Sequence, residues 1–210
     1  MRWMVRSFAV ATVVCWMLVA GLFARPVPVT LPERVAPKRV TLTAVDRLPA
    51  DWSRRIQSDL RGAFPGVAVE QSRPVVAIVE RHARRFRVDP LMVLAVVQVE
   101  SRFDPRAVSS QGAMGLMQLQ SGTARDLAMD LGVQWTGDDL LFDPDLNVML
   151  GCAYLRRLID RFDNVDAALA AYCSGPTLVE ARRDANGKIP LGYSDRVWDV
   201  LRTLQTRVLV

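Results

Sequence analysis

Val97–Gln118, VQVESRFDPRAVSSQGAMGLMQ, is the stretch that decides how this chain is interpreted. It follows the apolar run Leu91–Val97 and places an acid, Glu100, where that run gives way to polar residues. Gly112 and Gly115 come next, and glycine permits the positive φ angles of tight loops. We therefore predict a buried helix that ends near Glu100 and a compact loop folded over its end.

The start and the end of this helix both carry local signals. Asp89 is a typical N-cap and Pro90 fits the first helical position. The body is apolar nearly all round, which predicts a central, buried helix. Phe103-Asp104-Pro105 is expected to close it, because a residue before proline avoids the helical region.

Glu100 is the candidate catalytic group. The helix C-terminus carries partial negative charge, and burial among apolar side chains disfavours a carboxylate further. Both effects predict a raised pKa, which suits a general acid that works near neutral pH. The alternative, a solvated acid at a helix end, stays open on position alone.

The segment after the glycines contains Gln118, an amide inside an apolar run that can bond a sugar hydroxyl or amide. Ser121 or Thr123 is predicted to cap the next helix, which should stop at Gly132. Earlier in the chain, Asp51 is predicted to cap a helix to about Arg61.

Three blocks of residues resemble the lytic transglycosylase domain, the bacterial relatives of goose-type lysozyme. In order, the blocks are Glu100-Ser101-x-Phe103-Asp104-Pro105-x-Ala107-Val108-Ser109 running into Gly112-Ala113-x-Gly115-Leu116-Met117-Gln118-Leu119, then Phe142-Asp143-Pro144-x-x-Asn147 running into Gly151-x-x-Tyr154-Leu155, and Ala168-Leu169-Ala170-Ala171-Tyr172-x-x-Gly175-Pro176. Their order and spacing agree with the family across roughly residues 74–200.

The resemblance implies a fold and a reaction. The fold is a mostly α, lysozyme-like domain over residues 74–210, with a groove for peptidoglycan. Glycan strands would be cut between N-acetylmuramic acid and N-acetylglucosamine. Glu100 would protonate the glycosidic oxygen and then, as a base, take the proton of the muramic C6 hydroxyl, giving a 1,6-anhydro end without water.

The same resemblance assigns further residues. Ser109, Met117, Gln118 and Tyr172 would bind substrate, and Ser101 would support the geometry of the acid. The chain departs from the family at three points: Cys173-Ser174 replaces the usual Asn-Ala, Gln120-Ser121 replaces a common Met-Pro, and the Glu-Thr often found before a late tyrosine is missing near Tyr193.

A glycosidase that uses water or a covalent intermediate usually needs two carboxylates about 5–9.5 Å apart. Asp104 is the nearest second acid in sequence and looks like a turn residue. The sequence therefore favours a one-acid reaction, although Asp143 or Asp145 could approach Glu100 in space.

Metal, cofactor and nucleic-acid functions have little support. The chain has a single histidine, His82, which its basic neighbours predict to be a surface residue. One histidine and no Cys/His cluster predict neither a metal site nor a Ser/His triad, and no cofactor is expected. The net charge of +5 is spread along the chain and not clustered, so no nucleic-acid partner is expected.

The N-terminal residues 1–24 are predicted to be a targeting segment. Arg2 and Arg6 precede the apolar run Phe8–Phe23. That run is slightly long for a signal core of about 7–15 residues and short of the roughly 20 of a spanning helix. Residues 1–24 are therefore either a cleaved signal or a short inner-membrane anchor through residues 8–23.

Residues 25–73 are predicted to be a Pro-rich linker and N-terminal segment, with a short strand at Thr41–Val45 and a role as spacer, docking segment or brace. The chain is expected in the periplasm or cell envelope, with peptidoglycan as its partner and envelope or secretion-apparatus proteins as further candidates.

Cys152 and Cys173 lie at similar distances from the Asp163-Asn164 turn of a predicted helical hairpin. An exported compartment permits a disulfide between them. Two free thiols are the alternative, because cysteine is often a core residue.

Two other functions stay open: a hydrolytic muramidase on the same fold, and a non-catalytic glycan-binding component of an envelope assembly.

Overall fold

The computed structural model describes residues 48–185 and 187–209, and these fall within one compact unit. The predicted signal or anchor, the proline-rich part of the linker and the strand predicted at Thr41–Val45 lie outside the described residues. No helix within the described ranges has the length and apolar character needed to cross a bilayer.

Within those ranges the secondary structure consists of α-helices, one 3-10 helix and two isolated β-bridges. The helices are α1 Trp52–Ser58, α2 Leu60–Ala63, α3 Val69–Phe86, α4 Pro90–Ser101, α5 Ser121–Asp130, the 3-10 helix Asp138–Phe142, α6 Pro144–Phe162, α7 Val165–Ser174, α8 Pro176–Asp184 and α9 Gly192–Leu209. The predicted mostly α fold is confirmed.

Helix α4 is the centre of the fold, as its sequence predicts. The Asp89 carboxylate accepts hydrogen bonds from the backbone N–H groups of Leu91 and Met92, and Pro90 occupies the first helical position. Every side chain from Pro90 to Val97 is buried. Helix α9 packs along α4, and α3 packs against it as well.

Helix α3 begins five residues before the start at residue 74 that was predicted for the domain. It begins at Val69 and continues through Pro74. Proline removes a backbone donor and usually bends a helix interior. Tertiary packing outweighs that cost here, because Val75, Val76 and Val79 are all buried against the core.

Two predicted caps are wrong. Ser121 does not cap α5 but bonds Asp138, and Thr123 makes no cap either, since the helix begins after Gln120 without a side-chain cap. The carboxylate of Asp51 bonds Arg55 and not the backbone. Helices with enough buried surface do not need a side-chain cap to begin.

The N-terminal helices α1 and α2 form a brace against the rest of the fold. The helix predicted from Asp51 to Arg61 is divided at Asp59, whose side chain accepts from the Gly62 N–H. Arg207 of α9 forms an ion pair with Asp59, and Arg55 donates to the Val208 carbonyl at 2.9 Å. The far end of α9 is therefore attached to this segment.

Helices α6 and α7 form the predicted antiparallel hairpin, but the cysteines are not bonded. Both thiols are free: Cys152 is buried and Cys173 is exposed. Equal height along a hairpin is not sufficient for a disulfide, because the two Cβ atoms must also point at each other. Cys152 faces the core, whereas Cys173 lies one residue beyond the buried Tyr172 on the exposed side.

Candidate active site

Glu100 lies half-buried in the last turn of α4, as predicted. The helix ends two residues before Phe103 is reached, because Arg102 and Phe103 both adopt positive φ angles of 51° and 66°. Such angles are rare for side chains of this size and cost roughly 1–3 kcal/mol each. Phe103 is fully buried 4.4 Å from the ring of Phe64, and this packing helps to hold the turn.

Tyr193 is the polar group in direct contact with the acid. It lies in the first turn of α9, and its phenol donates a 2.6 Å hydrogen bond to Glu100 Oε1. Burial raises the pKa of Glu100 above its usual 4.5, and the Tyr193 hydrogen bond and the Arg196 charge offset only part of that effect. The raised pKa predicted from the sequence is confirmed.

Arg196 follows Tyr193 by one turn of α9. Its guanidinium lies 5.6 Å from the centre of the Tyr193 ring, and Nη1 donates to the Gly192 carbonyl at 3.2 Å. The side chain is exposed. Glu100 therefore has a phenol in contact and a cation nearby, both supplied by α9.

The glycine-containing loop is a compact turn structure. Isolated bridges link Met114 to both Val108 and Leu119. The Ser109 hydroxyl oxygen accepts from the N–H groups of Gln111 and Ala113, at 3.3 and 3.0 Å. The hydroxyl proton of Ser109 has no acceptor among the described residues, so the group remains able to donate.

Three helices each contribute one side chain that holds the segment Gly115–Gln118. From α4, the Ser101 hydroxyl donates to the Leu116 carbonyl at 2.8 Å. From α7, the Tyr172 phenol donates to the Met117 carbonyl, also at 2.8 Å. From α6, Asn147 bonds this segment through its side-chain amide.

Asn147 is fully buried and makes three hydrogen bonds. Its Oδ1 accepts from the Met117 N–H at 2.7 Å, and its Nδ2 donates to the carbonyls of Met114 and Leu141 at 3.0 Å each. Gly115 has a φ of 78°, and a Cβ there would overlap Asn147 and the Leu141 carbonyl. The glycine is therefore required for the close approach.

Gln118 and Met117, both predicted to bind substrate, make most of their side-chain contacts within the protein. The Gln118 amide nitrogen donates to the carbonyls of Ala107 and Gly115, at 3.1 and 3.0 Å, and the residue has a φ of 47°. The side-chain carbonyl oxygen of Gln118 accepts no hydrogen bond from the described residues, so it is left for a ligand. Met117 is fully buried against Gly151, so its side chain packs in the core and presents no surface to a ligand.

Three tyrosines form a layer behind the acid. The ring of Tyr172 lies 5.3 Å from that of Tyr154 and stacks on Tyr193 at 6.5 Å, with an interplanar angle of 12°. Burial, together with the Glu100 charge, raises the pKa of both Tyr172 and Tyr193 well above 10. Both phenols therefore stay protonated at neutral pH and remain hydrogen-bond donors.

The prediction of a surface His82 is wrong. The ring is buried, and Nε2 lies 2.8 Å from Asp145 Oδ1, which also pairs with Arg81. Burial alone would raise the pKa of Asp145, but the hydrogen bonds and charges of His82 and Arg81 lower it. Asp145 is thus committed to these partners, and Asp143 caps α6 through the Leu146 N–H.

Tyr193 and Asn147 are the two important residues that the sequence did not assign. Tyr193 was noted only as the late tyrosine of the resemblance, and Asn147 only as a motif residue. The signal for Asn147 was its place in the second block among apolar residues, since an amide that becomes buried there needs hydrogen-bond partners.

Comparison with known proteins identifies the family of this chain. The family described as "Transglycosylase SLT domain" matches residues 77–189. This chain belongs to that family. Its fold is accordingly the lysozyme-like helical fold.

Particular relatives extend the match. The chain is 34% identical over 167 residues to the membrane-bound lytic murein transglycosylase C of Shigella sonnei, covering 73% of this chain and 46% of that protein. It is 42% identical over 91 residues to a transglycosylase of Enterobacteria phage PRD1, covering 43% of this chain and 31% of that one. The chain thus spans less than half the length of these relatives.

Among solved structures, an inactive glutamate-to-glutamine mutant of lytic transglycosylase Slt from Pseudomonas aeruginosa is similar. The TM-score is 0.50 at 28% identity, with 74% of this chain and 25% of that chain covered.

Proposed function

We propose that the chain is a peptidoglycan lytic transglycosylase that cuts the bond between N-acetylmuramic acid and N-acetylglucosamine and leaves a 1,6-anhydro end. The observation that carries this proposal is the state of Glu100. A carboxyl group at the end of an apolar helix has a pKa raised by burial and is held by a phenol. Such a group can be protonated when substrate arrives.

The first step is protonation of the leaving group. Glu100 gives its proton to the glycosidic oxygen as the bond from that oxygen to C1 of the muramic residue breaks. Positive charge develops at C1, and the Glu100 carboxylate now faces it. The Tyr193 hydrogen bond favours this carboxylate, because donation to the charged form stabilises it.

The second step closes the ring. The Glu100 carboxylate takes the proton of the muramic C6 hydroxyl, and O6 forms the new bond to C1. Glu100 is then protonated again, as at the start. Besides burial, the groups that act on the Glu100 pKa are the Tyr193 phenol and the Arg196 guanidinium, and neither is a carboxylate that could activate water.

The remaining residues have supporting roles in this proposal. Ser109 has a free hydroxyl proton to donate to the sugar, and the carbonyl oxygen of Gln118 can accept from one. Tyr172 and Ser101 act indirectly, since each bonds a backbone carbonyl of the Gly115–Gln118 segment. Met117 is proposed to act through its backbone and not through its buried side chain.

Digestion of purified sacculi tests the assignment. Wild-type protein should release muropeptides with anhydro ends, which mass spectrometry separates from reducing ends by the mass of one water. Glu100→Gln should abolish release, whereas Glu70→Gln, a matched change at an exposed residue of α3, should have no effect. Reducing ends would instead indicate a hydrolytic muramidase, and full activity of Glu100→Gln would refute the role of this residue.

We further propose a location in the cell envelope. The substrate class and the membrane-bound name of the Shigella sonnei relative support it. Fractionation of cells that express the full chain, with N-terminal sequencing of the product, distinguishes a cleaved signal from an anchor. Recovery of uncleaved protein in the cytosol would contradict the proposal.

A further inference from the structure

Arg196 differs from the other arginines of α9 in having no acidic partner of its own. Arg202 pairs with Asp199, and Arg207 pairs with Asp59. Arg196 forms no salt bridge with any residue in the described ranges. Its contacts are the Gly192 carbonyl and the face of the Tyr193 ring.

These contacts restrict the guanidinium without neutralising it. One nitrogen, Nη1, is used by the Gly192 carbonyl at 3.2 Å, and the ring of Tyr193 lies 5.6 Å away. The other N–H groups are left for a ligand, since arginine has five donors in a planar fork. That fork matches a carboxylate with two parallel hydrogen bonds.

The position of Arg196 fixes which part of a ligand it would meet. Tyr193, one turn earlier on α9, donates directly to Glu100, and the Arg196 guanidinium lies 5.6 Å from the centre of the Tyr193 ring, so both side chains lie near the acid. Arg196 is exposed, whereas Tyr193 is buried. A sugar placed for protonation by Glu100 would therefore have Arg196 beside it, on the solvent side.

Of the two sugars in the glycan strand, muramic acid carries a carboxyl group and glucosamine does not. It carries a lactyl ether whose carboxyl group is either free or amide-linked to a peptide, and that peptide has free carboxylates of its own. We propose that Arg196 binds a carboxylate borne by the muramic residue next to the cleaved bond, and so selects glycan that carries one. This inference rests on the proposed function, because it assumes a muramic residue beside Glu100.

Enzyme kinetics on matched glycan strands test the inference. Peptide-bearing strands offer only peptide carboxylates, and strands stripped of peptide by an amidase offer only lactyl carboxylates. Each preparation is also used after its carboxyl groups have been converted to neutral amides. The protein forms are wild type, Arg196→Gln, Arg196→Lys and, as a matched control on the same helix, Arg202→Gln.

Arg196→Gln should raise KM about tenfold on strands with the recognised carboxylate, the scale of one charge-assisted hydrogen bond. Amidation should raise the wild-type KM by a similar factor and leave Arg196→Gln unchanged, because the same contact has been removed twice. Arg196→Lys should recover part of the loss, and Arg202→Gln should match wild type. If amidation raises the wild-type KM only on peptide-bearing strands, Arg196 binds a peptide carboxylate. If it does so only on peptide-free strands, Arg196 binds the lactyl carboxylate.

Two results would overturn the inference: an unchanged KM for Arg196→Gln, or equal responses of wild type and Arg196→Gln to amidation. Thermal unfolding of each variant shows whether a loss of activity is due only to misfolding. Binding of the same strands by Glu100→Gln, with and without Arg196→Gln, provides a readout without turnover. Reducing ends from wild type would refute the proposed reaction, while the KM comparison would still decide the role of Arg196.

Discussion

Replacing Asn147 by alanine should destabilise the fold severely. The side chain is fully buried, and its three hydrogen bonds of 2.7, 3.0 and 3.0 Å all go to backbone groups. Alanine would leave one N–H and two carbonyl groups without these partners. Each buried unsatisfied group costs about 1–3 kcal/mol, so the loss should be at least about 3 kcal/mol. A domain has only about 5–15 kcal/mol in total.

Asn164 provides a matched control. It is also an asparagine at the start of a helix, but its side chain accepts a single hydrogen bond, from the Ala167 N–H. Asn164→Ala should therefore cost only about 1 kcal/mol. Urea unfolding of both variants, with the slope of the transition compared to wild type, measures the two losses on the same scale.

An aspartate at residue 147 adds a test by pH. It keeps the shape of the amide, but a carboxylate there would face the carbonyls of Met114 and Leu141, to which the amide nitrogen now donates. The folded-state pKa of that aspartate should be raised, so Asn147→Asp should be most stable at low pH and lose stability as pH increases. Two results would refute this role of the Asn147 hydrogen bonds. One is an equal loss of stability in Asn147→Ala and Asn164→Ala, and the other is a stability of Asn147→Asp that does not depend on pH.

Four further predictions concern the acid and its surroundings. Tyr193→Phe should lower kcat and raise the pKa of Glu100 further, moving the alkaline limb of the pH–rate profile to higher pH, because a hydrogen bond to the carboxylate is lost. Glu100→Gln should be more stable than wild type at alkaline pH and lose the advantage at acid pH, since a raised folded-state pKa means that stability falls as the carboxyl ionises. Gly151→Ala should lower the melting temperature by overpacking, at a cost of about 1–3 kcal/mol, although alanine is the better helix former. Cys173 should react with a thiol reagent in the native protein and Cys152 only after unfolding, as peptide mapping would show.

Each of these has a clear contrary outcome. An unshifted pH profile in Tyr193→Phe would mean that its hydrogen bond does not act on the acid. A pH-independent difference between wild type and Glu100→Gln would remove the case for a raised pKa. A more stable Gly151→Ala would show that the Met117 side chain can move aside, and native protection of Cys173 would contradict its exposure.

The sequence predicted α4 and the position of Glu100 in its last turn, because these signals are local. A cap, a proline and an apolar run lie next to one another, and the acid follows within the same helix. The partner of the acid could not be derived in this way. Tyr193 comes from a helix 93 residues later, and only the packing of α9 on α4 brings the two together.

The error at His82 has a different cause. Its basic neighbours suggested a solvated face, yet His82 follows Val75 and Val79 at helical spacing and shares their buried side. The helical periodicity therefore indicated that His82 is buried, whereas the charge of its sequence neighbours did not. For the cysteines, position along the hairpin was correct, but rotation about the helix axis decided which thiol faced the core.

Helix α9 lies after the family match and connects the acid inside that match to the N-terminal helices before it. Its first turn supplies Tyr193 to the acid, and its last turn is held by Asp59 and Arg55. The match over residues 77–189 includes Glu100 but contains neither α9 nor Asp59 and Arg55. The smallest unit suitable for expression or for transfer into another protein is therefore larger than the family boundaries indicate. A version trimmed to those boundaries would keep Glu100 and lose both its hydrogen-bond donor and the anchor that positions it.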